Sequence, residues 1–376
     1  MISDDEKKAL LEERLILKKD ISDVFIQSMQ IRFDLGIKMM RLAESDIFCV
    51  FCSSINKHTC VESIDGYKKK YLILDEHHMD LLGALNIVFF MYGRDDFTSP
   101  IFRLLNERLD IPKKRLRKVV AILISEQNVL QGNITRATAL LDEFSNISLD
   151  FSDDEKGRAN LDWYILKSNR AMTMQALVMN FYVFHELAHI KNYSEDESIP
   201  FYYELYYDYF RKRMSGADFE DYLERLPVED VICDAYALDL LFDYMYEKGH
   251  EYYIPDMVES YVCSVLNLTL MDSVIGHGEE ITTWEVICWF RIIASINVVG
   301  YAKEISGHKG FIKEILDSLN YTRMCYMNYL IEVRMQEDSL VNIIKNIPEN
   351  TNEFSTEWKK EYENYIHRFL KEVEEV

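Results

Sequence analysis

The chain has 376 residues, of which 48% are hydrophobic and 13% aromatic, enough for a large folded core and too many for an intrinsically disordered protein. Its 64 acidic and 42 basic residues give a formal net charge of −22, which argues against a nucleic-acid partner because such a surface repels phosphate groups. With only 13 glycines and 6 prolines, long helices are favoured over a many-stranded sandwich.

The cysteine content and the N-terminus indicate the compartment. The seven cysteines are an odd number spread over a large chain, which fits a reducing cytosol better than a disulfide framework. The N-terminus is charged and lacks an apolar signal core, and no apolar run approaches the roughly 18 residues that a membrane span needs. We therefore expect a cytoplasmic protein without a membrane partner.

Hydrophobic periodicity predicts helical structure at the start of the chain and a small β-sheet after it. Apolar residues recur at three- and four-residue steps over residues 4–43, as they do in a helix. Runs of β-forming residues at 47–52 and 71–74 predict two short strands, arranged as a hairpin or an edge pair. A further helix is expected to open at Asp75, an acceptable N-cap residue.

The rest of the chain is predicted to be helical. A long helix is expected from about Leu161 to Lys191, and a strongly amphipathic one at 228–247. Further helices are predicted at 101–145, and at about 255–275, 281–303, 310–335 and 355–375. Because no linker-like tract interrupts the sequence, we expect a single, mainly α (α+β) unit with a small sheet. Its parts are an N-terminal helical part at about 1–45, a core at about 46–305 and a C-terminal helical part at about 306–376.

The sequence FHELAHIKNY contains an H-E-x-x-H pattern within the long predicted helix. Residues four apart on an α-helix lie one turn above each other, so His185 and His189 can present imidazole nitrogens to one metal ion. Glu186 is turned by about 100° from His185, which suits a base beside a metal-bound water better than a third ligand. The alternative is a pair of ordinary core histidines. The acid between them and the uncharged neighbours favour the metal site.

A catalytic zinc ion needs a third protein ligand and an open position for water. The ligand must come from another element, and the amphipathic helix at 228–247 is the best source. Asp230 and Asp234 lie one turn apart on that helix and share a face. The small residues Ala235 and Ala237 allow another helix to pack closely there.

These two motifs resemble those of the gluzincin group of zinc peptidases, in which H-E-x-x-H is followed by a helix of the form E-x-x-(A/C)-D-x-x-A. The resemblance implies that Asp230 is the third ligand, at a position where the group usually has Glu. It also implies that Asp234 supports a ligand histidine. Because Asp is one methylene shorter than Glu, either the second helix approaches more closely or Glu229 is the ligand instead. Asp230 is the predicted ligand.

The resemblance covers about residues 47–80 and 170–245, and it implies a zincin-like fold for the core. The order of strand, Asn-containing turn, strand and helix upstream of the motif is similar to that of ImmA/IrrE-like and CAAX-protease-like members. Among intracellular bacterial examples, Lit-type phage-exclusion peptidases are the most similar in style, which implies a role in phage defence.

The implied function is zinc-dependent hydrolysis of peptide bonds in an intracellular protein substrate, with Glu186 taking a proton from the attacking water and passing it to the leaving amine. The alternative is a zincin-like regulatory or interaction protein that binds metal without significant peptidase activity. Residues 195–226, an acidic and aromatic insertion, are where a regulatory partner is expected to act. Candidate donors to the developing oxyanion are Tyr193, Tyr236, His277 and Arg291. Arg291 lies in an apolar helix and is expected to have a buried acidic partner.

Two histidine and cysteine clusters are weaker signals. Cys49 and Cys52, with His58 and Cys60 nearby, form a second candidate zinc site, which is disfavoured because the first two cysteines point to opposite faces of a strand. His77 and His78, at the start of a predicted helix, are expected to be exposed or to cap it.

Overall fold

The structure, a computed structural model, is mainly helical and has a small β-sheet, as predicted. It describes residues 2–18, 20–43, 45–55, 59–63, 69–92, 110–145, 155–192, 198–211, 228–276, 281–308, 310–348, 359–360 and 363–364. The strands are β1 (Ile47–Cys52), β2 (Cys60–Glu62) and β3 (Lys70–Asp75). The helices are α1 (Asp4–Leu11), α2 (Asp23–Met40), α3 (Glu76–Tyr92), α4 (Asp110–Leu130), α5 (Ile134–Ser145), α6 (Glu155–Asn192), α7 (Ser198–Arg211), α8 (Val228–Lys248), α9 (Ile254–Gly276), α10 (Ile281–Ile305) and α11 (Phe311–Lys345).

The sheet has the order β1-β3-β2, so β3 is its central strand. β1 and β3 pair in parallel, with Ile47 opposite Lys70, and β2 pairs with β3 in antiparallel orientation, with Cys60 opposite Ile73. The two predicted strands are therefore neighbours, but they do not form a hairpin. The short strand β2 lies between them in sequence and at the edge of the sheet in space.

The predicted helix at residues 4–43 is two helices, because the intervening chain pairs with the segment that follows β1 instead. Ile16 forms an antiparallel bridge with Ser54. Ser3 caps α1 in a capping box with Glu6, and Ser22 accepts a hydrogen bond from the backbone of Phe25 to cap α2. Two N-caps within one apolar repeat therefore mark two separate helix starts.

α3 begins at the residue that follows β3. Asp75 precedes the first residue of α3, as expected, and its buried carboxylate also accepts hydrogen bonds from the backbone and the hydroxyl of Ser54. His77 and His78 are buried rather than exposed. The Nε2 atom of His77 lies 2.5 Å from a carboxylate oxygen of Glu126 on α4, so this histidine belongs to a buried polar pair.

The predicted helices around the histidine motif are confirmed as α6, α8, α9, α10 and α11, with α6 and α11 longer than expected. The final predicted helix at about 355–375 lies largely outside the described residues. Within the part of the chain that is described, none of the helices is both long and apolar enough to cross a membrane.

The chain groups into two compact units, and the divisions expected near residues 45 and 305 stay predictions. One unit comprises Met1–Glu76, Ala176–Thr269 and Glu279–Asn320; the other comprises His77–Gln175, Leu270–Gly278 and Tyr321–Val376. The first unit holds the sheet and the histidine motif. One cluster of its core packs α1 against the sheet through Leu10, Val50, Cys52, Tyr71 and Ile73.

Candidate metal centre

The two motif histidines lie one turn apart in the C-terminal part of α6. Their neighbours Phe184, Leu187 and Ala188 are fully buried, as a helix in the core requires. Gly36 of α2 faces this stretch, and a Cβ atom there would come within 2.4 Å of a methyl carbon of Leu187. The absence of a side chain at Gly36 therefore lets α2 pack directly against the histidine helix.

The ligand atoms of three residues converge at this point. The Nε2 atoms of His185 and His189 are 3.2 Å apart. Oδ1 of Asp230, in the first turn of α8, lies 3.3 Å from Nε2 of His189 and 4.0 Å from Nε2 of His185. Metal–ligand distances of 2.0–2.2 Å in a tetrahedral zinc site separate ligand atoms by about 3.3–3.6 Å. Two of the three separations fit this range closely, and the third is slightly longer.

Both imidazole rings are held from behind by carboxylates of α8. Nδ1 of His185 lies 2.8 Å from Oδ1 of Asp234, and Nδ1 of His189 lies 2.9 Å from Oε1 of Glu229. A neutral imidazole that donates from Nδ1 to a carboxylate keeps a free lone pair on Nε2. With both rings in that tautomer, two Nε2 lone pairs and one carboxylate oxygen face the same point. That is the donor set of a cation, and the residues present fit a zinc ion.

The surroundings of His189 favour a positive charge. Burial acts to lower the pKa of His189, but contacts with Asp230 and Cys233 raise it to about 12. A proton on His189 is one way to supply the positive charge that the surrounding carboxylates favour, and a metal ion is another. Acidic residues at 229 and 230 also lie in the first turn of α8, where the helix dipole favours negative charge.

The structure places Asp230, not Glu229, beside the two ligand nitrogens. His185, His189 and Asp230 form a group whose ligand atoms all lie within 4.8 Å of one another. Glu229 instead contacts the Nδ1 side of His189. Asp230 Oδ1 faces both Nε2 atoms, so the shorter acid reaches the point at which the two histidines converge.

Asp234 and Asp230 share one cation, Arg291 of α10. Arg291 donates from Nε and Nη2 to the two oxygens of Asp234, at 2.7 Å and 2.9 Å, and from Nη1 to Oδ2 of Asp230 at 3.2 Å. Tyr261 of α9 donates a further hydrogen bond to Asp234 at 3.1 Å. Burial acts to raise the pKa of Asp234, but Arg291 and His185 hold it below its ordinary value. The expected acidic partners of Arg291 are therefore these two aspartates.

Glu186 lies in the same buried turn as the histidines and is 8% exposed. Burial raises its pKa, and the neighbouring histidines act in the opposite direction. Within the described chain, no residue hydrogen-bonds its carboxylate. One turn earlier on α6, Tyr182 donates a hydrogen bond to the backbone oxygen of Thr59, the residue before β2, at 3.4 Å.

The four candidate oxyanion donors have different outcomes. Tyr193 and His277 lie outside the described residues. The ring of Tyr236 packs 5.4 Å from that of Tyr202, in an edge-to-face contact typical of core aromatics. The three side-chain nitrogens of Arg291 all donate to aspartates. An oxyanion donor thus stays unassigned among these four.

Two contacts of the site were not foreseen from the sequence. Tyr261 hydrogen-bonds Asp234, and Cys233 contacts His189 from one turn of α8 after Asp230. A buried tyrosine in an otherwise apolar helix needs a partner for its hydroxyl, which is the one signal that pointed to the first contact. Among the described residues, the cysteines at 49, 52 and 60 do not form a metal-binding group, and each is a free thiol.

Comparison of the chain with protein-family models, with curated proteins and with solved structures gave no match. The account of the site therefore depends on its own geometry.

Proposed function

We propose that the protein is a zinc-dependent metallopeptidase of the gluzincin type, with His185, His189 and Asp230 as ligands and Glu186 as the catalytic base. The observation that carries the proposal is the convergence of two Nε2 atoms and one carboxylate oxygen, with a carboxylate oxygen within 2.9 Å of each Nδ1 atom. A binding site for a proton alone has no need of two histidines oriented in this way. Carboxylate–histidine pairs of this kind hold metal ligands in a fixed tautomer and orientation.

The carboxylate of Glu186, to which none of the described residues hydrogen-bonds, supplies the chemistry that a structural metal site lacks. A zinc ion in this site would make a bound water acidic near neutral pH and would polarise a carbonyl group. In this proposal Glu186 accepts the proton of the attacking water and donates it to the leaving amine. Burial raises the pKa of Glu186, which makes its carboxylate a stronger base than an exposed glutamate.

A polypeptide substrate is supported by the edge strand β2. In the described sheet, β2 pairs with β3 on one side only, so its outer backbone groups can pair with an extended peptide. Tyr182, one turn before Glu186 on α6, donates a hydrogen bond to the backbone oxygen of Thr59, which precedes this strand. A peptide bound along β2 would therefore pass beside the proposed base.

The cellular setting belongs to the same proposal. We expect a cytoplasmic enzyme, which fractionation of cells expressing it would test, since recovery with membranes would contradict it. A regulatory protein is expected to act on residues 195–226, whose described part, α7, packs against α8 and α10. Equal hydrolysis with and without added cell extract would argue against such a partner. Defence against phage follows from the resemblance to Lit-type peptidases, and unchanged phage plating on expressing cells would contradict it.

The decisive experiment compares wild-type protein with Glu186→Gln. Each is loaded with zinc and incubated with a bacterial lysate, and new N-termini are quantified by mass spectrometry. We expect wild-type cleavage that falls by roughly 10²–10⁴-fold in Glu186→Gln, with zinc content unchanged. Glu247→Gln, an exposed glutamate on α8, is the matched control and should cleave as wild type does.

Two results would count against the enzyme. Cleavage that persists in Glu186→Gln would contradict the proposed base. Stoichiometric zinc without any cleavage by the wild type would favour the alternative, a zincin-like protein that binds metal and acts by interaction.

A further inference from the structure

Arg291 occupies a position that the ligand set alone does not explain. It is a cation in the apolar part of α10, and its side chain is 14% exposed. Its neighbour one turn later, Ser295, donates a hydrogen bond to the backbone oxygen of Val231 at 3.2 Å. That contact fixes α10 against α8 next to Asp230. The packing of α10 on α8 thus positions the guanidinium group beside Asp230, in the first turn of α8.

The guanidinium group binds both aspartates of α8 at once. Nε and Nη2 hold the two oxygens of Asp234, and Nη1 holds Oδ2 of Asp230. The other oxygen of Asp230, Oδ1, faces the histidines. A planar fork with several fixed donors can make these contacts together, whereas an ammonium group on a flexible stem cannot reproduce the geometry.

We propose that Arg291 is a positioning residue that prepares Asp230 for the metal by occupying the carboxylate oxygen that faces away from the histidines. The proposal depends on the proposed metal site. With Oδ2 engaged by Arg291, Oδ1 is the oxygen of Asp230 that would hold the metal. The carboxylate is also held before the metal arrives, so little side-chain freedom is lost on binding. This compensates for the short reach of Asp at a position where Glu is usual.

Arg291 also connects Asp230, the proposed third ligand, to Asp234, which contacts the ligand His185. Asp234, which Arg291 binds with two nitrogens, lies behind His185. Loss of the guanidinium group therefore frees two carboxylates at once: that of Asp230, a proposed ligand, and that of Asp234, which contacts His185. Removing an outer partner of a metal ligand typically weakens binding by about 10–100-fold, so a joint partner should lie at the upper end of that range.

Lys303 provides a matched control on the same helix. Its side chain is 2% exposed, and its Nζ atom pairs with Asp239 at 2.8 Å and with Asp243, both on α8. It therefore ties α10 to α8 as Arg291 does, but it contacts neither Asp230 nor Asp234 in the described structure. Substitution of Lys303 therefore tests the effect of weaker packing between α10 and α8 while the contacts of Asp230 stay in place.

The experiment measures zinc affinity by competition with a chromophoric chelator, and the visible spectrum of the cobalt(II) form, for wild type, Arg291→Met, Arg291→Lys and Lys303→Met. Circular dichroism establishes that each variant is folded. We expect Arg291→Met to bind zinc about 100-fold more weakly and Arg291→Lys about 10-fold more weakly, with an altered cobalt spectrum in both. Lys303→Met should bind zinc within about threefold of wild type.

The outcomes separate this inference from the function. If Arg291→Met does not fold, Arg291→Lys, which keeps the charge, carries the test. Wild-type affinity and an unchanged cobalt spectrum in folded Arg291→Lys would overturn the positioning role while the metal site stands. An equal loss of zinc affinity in Lys303→Met would mean that Arg291 acts only through the packing of α10 on α8. A wild-type protein that binds neither zinc nor cobalt would overturn the proposed function, and the inference with it.

Discussion

Oε1 of Glu229 lies 2.9 Å from Nδ1 of His189, on the opposite side of the ring from the Nε2 atom that faces Asp230. Two adjacent acids of α8 therefore contact the two nitrogens of one imidazole. Only one of them, Asp230, also faces His185. This relationship assigns the adjacent acids different roles and makes those roles separable by mutation.

Asp230→Ala should weaken zinc binding more than Glu229→Ala does. The first change removes a ligand, for which we expect a loss of more than about 100-fold, whereas the second removes a support for His189, for which we expect about 10-fold. The chelator competition assay measures both. The reverse order would make Glu229 the third ligand and would contradict the geometry described here.

Asp234→Asn should reduce both metal affinity and stability. The fully buried Asp234 is paired with Arg291, and loss of one charge of a buried pair costs about 3 kcal/mol in the free energy of unfolding. Zinc affinity should fall by about 10–100-fold because His185 loses its partner at Nδ1. The control is Asp239→Asn. Asp239 lies on α8, as Asp234 does, and the substitution disturbs its ion pair with Lys303 of α10. Urea unfolding and zinc titration of the two variants should show that only Asp234→Asn loses metal affinity.

Gly36→Val should destabilise the fold. The first atom of a side chain at this position would lie 2.4 Å from a methyl carbon of Leu187 and 3.4 Å from the ring of Phe184. Both neighbours are fully buried, so overpacking should cost about 1–3 kcal/mol in the free energy of unfolding. Gln27→Val, at an exposed position of the same helix, controls for helix propensity. Equal unfolding midpoints for the two variants would mean that α2 does not pack closely on the histidine helix.

Glu6→Gln should change how stability depends on pH. Hydrogen bonds from Lys69, Ser3 and Tyr71 lower the pKa of Glu6 from its ordinary 4.5 to about 2. Because the folded pKa lies below the unfolded one, the ionised carboxylate stabilises the fold above pH 4.5, and this contribution is lost as the pH falls toward 2. The difference in unfolding free energy between wild type and Glu6→Gln should therefore shrink over that interval.

The control for this pH series is Asp5→Asn, an exposed neighbour in α1. Urea unfolding at several pH values between neutrality and the acid range measures all three proteins. A difference between wild type and Glu6→Gln that stays constant with pH would show that the hydrogen bonds to Glu6 do not lower its pKa.

The sequence was sufficient for the elements whose signals are local. The apolar repeat predicted α6 and α8, and the H-E-x-x-H spacing placed two histidines on one face of α6. The same repeat joined α1 to α2, because the bridge from Ile16 to Ser54 that separates them is a contact between distant residues. The pairing direction of β1 and β3 was missed for the same reason. It depends on the crossover through β2, which is too short to give a clear period.

For the site, the sequence left open which acid completes the ligand set, since Glu229 and Asp230 are adjacent. The choice depends on how closely α8 approaches α6 and on which nitrogen of His189 each acid meets. Neither distance is encoded in the spacing of the motif. The buried environment of Arg291 did predict an acidic partner, because a charge in an apolar helix is costly unless paired. The division of the guanidinium contacts between Asp230 and Asp234 depends on helix packing and was not predictable from the sequence.

Zinc K-edge X-ray absorption on wild-type protein with bound zinc reports the ligands of the proposed metal centre. We expect about one zinc ion per chain, coordinated by two imidazole nitrogens and by oxygen atoms at about 2.0–2.2 Å, without a sulfur ligand, and lost in His185→Ala. Sulfur ligands at about 2.3 Å would place the metal on cysteines instead, and a protein that retains no zinc would contradict the metal centre altogether.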